Sequence, residues 1–193
     1  MTLARIGSLT WLRAVDHPEL LAAGTHAALV RWAAADPTVA DRVAVAEIDP
    51  ELADTAALTA AYDLPLAASA NCVVVAGRRA GEERTAAAVV LATTRADVNN
   101  TVRRLLDVRK ASFLPTERAT EMSGMEYGGI TPVGLPETWR LLVDSRVVTA
   151  TTDPGTRGVV IIGSGLRRSK LALPGSLLAG LPRAEVVADL AIA

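Results

Sequence analysis

The sequence predicts one domain of mixed α/β class, built from a mixed sheet and several helices. The chain has 193 residues, half of them hydrophobic, which suits one globular domain with a sizeable core. Helix-like and strand-like segments interleave without a repeating βαβ spacing, and the apolar runs 71–75 and 86–91 predict a hairpin. Both features favour a mixed sheet over a doubly wound parallel sheet.

Capping residues predict where the main helices begin and end. Asp16, Pro18 and Glu19 have the order of a capped first turn, which starts a helix. Asp97 caps a later helix, and Gly124 can take the left-handed conformation that follows a helix end. The predicted helices are 18–35, 51–62 with a break near Asp54, 98–106, 115–123, one after Pro174, and 185–188.

Short runs of β-prone apolar residues predict the strands. A polar loop at 77–83 joins the two strands of the hairpin, and Asp153-Pro154-Gly155 is a predicted turn before a buried strand. The predicted strands are 43–48, 71–75, 86–91, 108–113, 139–143, 146–149, 159–162 and 170–173.

Composition excludes several classes of protein. Net charge is −1 and the isoelectric point is about 6.1, so a nucleic-acid partner would have to be held by a local patch. One cysteine, Cys72, excludes an intramolecular disulfide and fits a reducing compartment. No apolar run approaches the about 18 residues of a membrane span, and the N-terminus does not resemble a signal peptide. We therefore expect a cytoplasmic protein with no membrane partner.

The familiar nucleotide and metal motifs are absent. Gly124 and Gly129 have P-loop spacing, but the lysine position is Ile130. Gly163-Ser164-Gly165 lacks the third glycine of a dinucleotide loop. His17 and His26, with one distant cysteine, form neither a zinc set nor a catalytic triad. The sequence predicts no cofactor and no metal.

Four glycines and a proline lie within the eleven residues Gly124–Gly134. Such a loop can aim several amide N–H groups at one carbonyl oxygen or phosphate. Glycine content alone equally describes an ordinary connection that turns a corner, which is the simpler interpretation.

Three other features have both a functional and an ordinary interpretation. Cys72 lies among valines and is better explained as a small buried hydrophobe than as a nucleophile. Asp144 could orient a water molecule, or it could simply end a strand and bond to turn amides. Arg167, Arg168 and Lys170 could meet a phosphate, although solvated surface charge is the simpler interpretation.

Five segments in order resemble the YbaK/ProX family of aminoacyl-tRNA deacylase domains. Residues 123–134 are similar to the family pattern Thr-Gly-x-x-x-Gly-Gly-(Ile/Val)-(Ser/Thr)-Pro-x-Gly. The other segments are Arg109-Lys110-Ala111-Ser112, Leu142-Val143-Asp144, Ile162-Gly163-Ser164-Gly165, and Leu173-Pro174 with Leu177. The resemblance covers about residues 40 to 190, which divides the chain into an N-terminal helical extension, 1–39, and a deacylase-like domain, 40–193.

The resemblance implies a barrel-like sheet surrounded by helices and a pocket for the aminoacyl end of mischarged tRNA. It implies trans-acting ester hydrolysis that relies on backbone groups, the substrate's own atoms and positioned water. The catalytic residues implied are Gly128, Gly129, Ile130 and Asp144. The substrate-binding residues implied are Asn71, Lys110, Thr131, Pro132, Gly163 and Ser164.

One departure from the family leaves a second function open. The family usually has a lysine at the start of the strand predicted at 71–75, where this chain has Asn71 and Cys72. Loss of that ammonium is compatible with a non-catalytic relative that binds an aminoacyl end, a small ligand or a partner protein.

Overall fold

The computed structural model describes residues 6–149 and 158–193. The predicted turn Asp153-Pro154-Gly155 lies outside the described residues. Among the described residues, no helix is both long enough and apolar enough to cross a membrane.

Short strands and short helices alternate along the chain, with one long hairpin. The strands are β1 (Leu12–Arg13), β2 (Ala44–Glu47), β3 (Ala70–Arg79), β4 (Glu82–Leu91), β5 (Arg95–Ala96), β6 (Ala111–Phe113), β7 (Arg140–Asp144), β8 (Val159–Gly163), β9 (Ser169–Pro174), β10 (Ala184–Val187) and β11 (Ala191–Ile192). The α-helices are α1 (Ala23–Ala35), α2 (Thr38–Arg42), α3 (Thr55–Ala61), α4 (Arg103–Leu106), α5 (Thr116–Ser123), α6 (Ser145–Val148) and α7 (Gly175–Leu178). Short 3₁₀-helices span Ala14–Asp16, Pro18–Leu20, Pro50–Leu52 and Leu66–Ala68, and a π-helix spans Val98–Val102.

Two main sheets form the domain. The small sheet has the order β1-β2-β9-β8 and is antiparallel throughout. The large sheet has the order β10-β7-β4-β3-β6, with parallel pairing on the β7 side and antiparallel pairing on the β3 side. The prediction of a mixed sheet is therefore confirmed.

The two sheets do not close into a barrel. β8 is an edge strand of the small sheet, and among the described residues one parallel β-bridge links it towards the large sheet, between Ile161 and Ser69, the residue before β3. β6 covers only Val75–Gly77 of β3, so the first half of β3 pairs on one side only. The barrel-like arrangement implied by the family is thus open, with a gap between β3 and β8.

Both faces of the large sheet are buried, which explains the continuous apolar runs of its strands. Val89, Leu141 and Val143 face the main core, which also holds one face of the small sheet and helix α1. Ala88 and Leu142 face a second cluster under the helices of 98–106. The other face of the small sheet packs on a third cluster that includes α3.

The described part of the N-terminal segment packs into this same core. β1 pairs with β2, and Leu29 and Trp32 of α1 are buried in the main cluster. The Ala22 amide donates a hydrogen bond to the Ser164 carbonyl, and the Ser169 hydroxyl donates one to the Leu20 carbonyl. This segment therefore supports the loop that begins at Ser164.

Several local predictions are confirmed because the signal lies within the segment itself. Asp97 accepts hydrogen bonds from the Asn100 and Thr101 amides at 3.2 and 3.1 Å, as a helix cap should. Gly124 has a φ of 67° directly after α5. The break near Asp54 falls between a 3₁₀-helix and α3. The hairpin is longer than predicted and turns on Ala80 and Gly81 alone.

Three predictions of local structure are wrong. Residues 18–35 form a 3₁₀-helix and then α1, separated by an extended Leu21 and Ala22. Segment 146–149 is mostly helical, because the Asp144 carboxylate accepts the Arg146 amide and so starts α6. Segment 185–188 falls mainly in strand β10, because pairing beside β7 outweighs its helical propensity.

Candidate functional site

A cavity of about 410 Å³ occupies the gap between β3 and β8. Helices α3 and α5 and the glycine-rich segment 124–134 line its other sides. Its lining residues are Ala53, Asp54, Thr55, Leu58, Ser69, Ala70, Asn71, Cys72, Val73, Val74, Phe113, Leu114, Thr116, Ala119, Tyr127, Gly128, Ile130, Ile161, Ile162, Gly163 and Lys170. A volume of this size suits a small-molecule group.

Two loops form one wall of the site. We call Gly124–Gly134 the first glycine loop and Gly163–Ser169 the second glycine loop. The Glu126 amide donates to the Gly165 carbonyl at 2.9 Å, and the Gly165 amide donates to the Gly129 carbonyl at 2.7 Å. The Glu126 carboxylate accepts the Arg167 amide at 2.6 Å. The loops are therefore held together backbone to backbone.

Gly129 and Gly163 are required by this close approach. A Cβ on Gly129 would lie 2.5 Å from the carbonyl carbon of Leu166, and a Cβ on Gly163 would lie 2.3 Å from the carbonyl oxygen of Gly129. Both obstructing groups are backbone, which cannot rotate away as a side chain can. The glycine pattern in the two loops thus reflects their mutual packing.

Lys170 is the buried charged group of the cavity wall, and the exposed Asp54 also lines the cavity. Lys170 lies on β9 with 6% of its surface exposed, and its Nζ donates to the Gly128 carbonyl at 2.8 Å. Burial and, to a smaller extent, the nearby Arg167 charge lower the pKa of Lys170 to about 8, although Asp54 acts in the opposite direction. The interpretation of Lys170 as solvated surface charge is wrong. Its identity as one of only two lysines, within an apolar strand, was the signal that could have marked it.

The amides of the first glycine loop are not equivalent. The Gly129 amide donates to the Glu126 carbonyl at 3.0 Å, so this N–H is committed to the turn itself. The amides of Gly128 and Ile130 donate no hydrogen bond to any other described residue, and both residues line the cavity. Two of the three predicted amides therefore have no partner among the described residues.

Asn71 and Cys72 bring neutral polar groups to the cavity. The Asn71 amide oxygen accepts the Thr55 hydroxyl at 3.1 Å, which fixes the orientation of Asn71 at the start of β3. Burial raises the pKa of the Cys72 thiol to about 12, so this thiol is neutral near pH 7. Cys72 also packs against the main core, which agrees with its interpretation as a small hydrophobe.

Asp144, a predicted catalytic residue, does not line the cavity. Its buried carboxylate accepts hydrogen bonds from the Arg146 side chain and amide and from the Ala191 amide at 2.8 to 2.9 Å. Burial alone would raise the pKa of Asp144, but these hydrogen bonds together with the Arg146 charge lower it. Asp144 therefore joins β7, α6 and β11 and lies outside the cavity lining.

The remaining predicted site residues also fall outside the cavity lining, except Gly163. The Ser164 hydroxyl is fully buried and is 2.7 Å from the Ser169 hydroxyl. Thr131 and Pro132 are buried residues of the first glycine loop, and Lys110 is exposed. Ser164 therefore shapes the second glycine loop from within.

The fold and the cavity together define an α/β domain whose candidate site combines backbone amides, the buried Lys170, the exposed Asp54 and neutral side chains. Residues 49–175 match the family model of the aminoacyl-tRNA editing domain. This span exceeds half of the chain, so the protein belongs to the aminoacyl-tRNA editing domain family. The resemblance to YbaK/ProX proteins is thereby confirmed.

Solved structures share this fold. A proposed trans-editing enzyme for prolyl tRNA synthetase has a TM-score of 0.65 at 19% identity, over 86% of this chain and 98% of that chain. A hypothetical protein has a TM-score of 0.63 at 22% identity, over 77% of this chain and 90% of that chain. A scaffold used for computational epitope grafting has a TM-score of 0.69 at 17% identity, over 89% and 97%. No curated protein matches this chain.

Substitution Gly129→Ala should destabilise the protein, because its Cβ would meet the Leu166 backbone. We expect a loss of about 1 to 3 kcal/mol in the free energy of unfolding. The matched control is Gly24→Ala in α1, whose Cβ would lie 3.7 Å from the Gly134 carbonyl oxygen; it should gain about 0.5 to 1 kcal/mol from helix propensity. Urea unfolding measures both, and a Gly129→Ala protein as stable as the native chain would refute the packing argument.

Substitution Asp144→Ala should cost about 2 to 4 kcal/mol of stability, because buried N–H donors lose their acceptor. The lowered pKa of Asp144 means that its stabilising contribution is complete above the unfolded-state value and is lost as pH falls through the folded-state value. The native and Asp144→Ala proteins should therefore differ fully at pH 5 to 7 and converge at strongly acid pH. Asp16→Ala, at an exposed ion pair, is the control and should cost less than about 1 kcal/mol. An equal cost for both variants would contradict this role.

Proposed function

We propose that the protein is a trans-acting aminoacyl-tRNA deacylase that hydrolyses the ester of mischarged tRNA. The observation that carries this proposal is the arrangement in one cavity of the buried Lys170 and the unpaired amides of Gly128 and Ile130. Membership of the editing-domain family supports the same substrate class. The cytoplasm, where tRNA is charged, is the proposed location.

Ester hydrolysis needs stabilisation of a developing negative charge on the carbonyl oxygen. Water adds to the ester carbonyl carbon, and the ester C–O bond then breaks to release the amino acid and the terminal hydroxyl of tRNA. Amide donors from Gly128 or Ile130 can stabilise the oxyanion of the intermediate. The cavity wall adds the Lys170 ammonium, which strengthens that field in a partly dry site.

Lys170 has donors to spare for this role. A protonated lysine carries three N–H groups, and the one hydrogen bond recorded among the described residues goes to the Gly128 carbonyl. With a pKa of about 8, the amine is mostly protonated at pH 7. Two N–H groups therefore remain for the ester carbonyl, a ribose oxygen or the attacking water.

The carboxylate among the described residues that line the cavity, Asp54, is solvent-exposed and lies 3.8 Å from the Arg167 guanidinium, so we assign it no covalent role. The Cys72 thiol is neutral near pH 7, and Asp144 lies elsewhere. An aminoacyl ester is already activated, so orientation and oxyanion stabilisation can supply much of the acceleration. We propose that the substrate's own groups and a positioned water complete the reaction. Asn71 stands where the family usually has a lysine, which keeps a non-catalytic aminoacyl-binding module as the alternative.

Hydrolysis of a panel of mischarged tRNAs by the native chain tests the proposal. We expect hydrolysis of at least one member, and Lys170→Met should lower kcat/KM by about 100-fold or more, as loss of an oxyanion-stabilising group does. Arg31→Met, at an exposed arginine of α1, is the matched control and should act like the native chain.

Two outcomes would count against this mechanism. No hydrolysis above background for any tRNA contradicts the deacylase and favours the non-catalytic module. If Cys72→Ala abolishes hydrolysis and Lys170→Met retains it, the result contradicts oxyanion stabilisation by Lys170 and indicates a covalent route through the thiol.

The burial of Lys170 also predicts a pH dependence of stability. Because the pKa falls from 10.5 to about 8 on folding, the unfolded chain binds more protons between these values. Stability therefore rises with pH across this window. Relative to Lys170→Met, the native chain should gain about 2 kcal/mol in the free energy of unfolding between pH 7 and about pH 9.5. Urea unfolding of both proteins at the two pH values gives the difference, and a constant difference would refute the buried charge.

A further inference from the structure

The aromatic residues of this chain divide sharply by environment. The sequence contains one phenylalanine, two tyrosines and three tryptophans. Two of them are highly exposed, Phe113 at 61% and Tyr127 at 57%. The other four are buried or hydrogen-bonded within the protein: Trp11, Trp32, Tyr62 and Trp139. Both exposed aromatic residues line the cavity.

Exposure of both rings at one cavity points to a ligand. Burying an aromatic ring is strongly favourable, and this chain has few such rings to distribute. Phe113 and Tyr127 lie on different elements, β6 and the first glycine loop, yet both border the same opening. Being both lining and exposed, they lie at the cavity mouth.

The backbone that carries each ring is anchored. Phe113 pairs with Val75 in the large sheet. The guanidinium of Arg167 lies 5.2 Å from the centre of the Tyr127 ring, a cation–π distance. The Arg167 amide is bound by the carboxylate of Glu126 at 2.6 Å. The Phe113 backbone and the Tyr127 ring are thus held before any ligand arrives, which lowers the entropy lost on binding.

The covalent structure of the substrate determines which of its groups would contact the Phe113 and Tyr127 rings. In aminoacyl-tRNA the amino acid is esterified to the ribose of the last nucleotide. An aminoacyl group inside the cavity therefore leaves that ribose at the mouth and its base beside it. The base at a single-stranded 3′ end is unpaired and presents a free aromatic face, which proteins commonly bind by stacking on aromatic side chains.

We propose that Phe113 and Tyr127 form a stacking platform for the unpaired 3′-terminal nucleobase of the tRNA. This inference rests on the proposed function, which places the aminoacyl group in the cavity. It adds a binding site for the neighbouring base. Arg167, held over Tyr127, keeps that ring in place and contributes positive charge at the mouth.

Binding of a substrate analogue that cannot be hydrolysed tests the platform. The probe is an RNA minihelix carrying alanyl through a 3′-amide bond, since a methyl side chain fits a cavity of about 410 Å³. A matched minihelix lacks only the terminal base. Calorimetry would compare both probes on the native chain, Phe113→Ala, Tyr127→Ala and the ring-retaining Tyr127→Phe, with Val186→Ala as an exposed apolar control on β10.

We expect each alanine substitution to weaken binding of the base-bearing probe by about 5- to 150-fold. Tyr127→Phe and Val186→Ala should bind it like the native chain, and all variants should bind the probe without the base alike. The platform is overturned if the native chain does not prefer the base-bearing probe, if the alanine variants bind it like the native chain, or if they lose both probes equally.

The outcome separates this inference from the deacylase proposal. Ring-dependent binding by a chain that hydrolyses no mischarged tRNA supports the platform and contradicts the enzyme. Hydrolysis with ring-independent binding supports the enzyme and overturns the platform. Thermal unfolding of each variant confirms that the exposed substitutions leave the fold intact.

Discussion

The contact between the two glycine loops is the constraint on which the site depends. Gly129 and Gly163 allow the two backbones to approach so closely that a Cβ at either position would lie within 2.5 Å of a backbone atom. This approach brings the Gly128 carbonyl to Lys170 and places Arg167 over Tyr127. The N-terminal segment stabilises the second glycine loop through hydrogen bonds with the Ser164 carbonyl and the Ser169 hydroxyl. The cavity wall, the position of Lys170 and the position of Tyr127 at the mouth therefore all depend on the contact between the two loops.

Burial of Lys170 lowers the stability of the fold but places a charge in the candidate site. Removing an ammonium from water is costly, and one carbonyl acceptor at 2.8 Å compensates for only part of that cost. An apolar residue at this position of β9 would give a more stable fold, because the neighbouring residues are buried in the sheet. Such a charge is typical of a site whose ligand supplies the missing partner. In the proposed reaction, the developing oxyanion is that partner.

Sequence predicted the parts of the fold whose cause is local. Asp97 and Gly124 mark helix ends through their own hydrogen bonds and backbone preferences, and the hairpin follows from two apolar runs. The order of motifs also indicated the family correctly. The helix predicted at 185–188 is wrong because Glu185 pairs with Leu142 of β7, 43 residues earlier in the chain, and no local pattern encodes that pairing.

The candidate site was only partly predictable for the same reason. Four of the predicted site residues, Asn71, Gly128, Ile130 and Gly163, line the cavity. Asp144 instead accepts a hydrogen bond from the Ala191 amide, 47 residues later in the chain. The sequence alone favours a surface position for Lys170, because only the pairing of β9 with β2 and β8 shows that its strand is interior. Distances between sequence-remote groups decide such roles, and composition carries no information about them.

Direct titration of the Lys170 amine by NMR is the sharpest test of this account. The chain has only two lysines, so selectively labelled side chains give two amine signals, and Lys170→Met identifies the one of interest. Its signal should titrate with a pKa of about 8 and should shift when the alanyl-amide minihelix binds. Titration near 10.5, the ordinary value, with no response to the minihelix, would contradict a buried ammonium at the centre of the site.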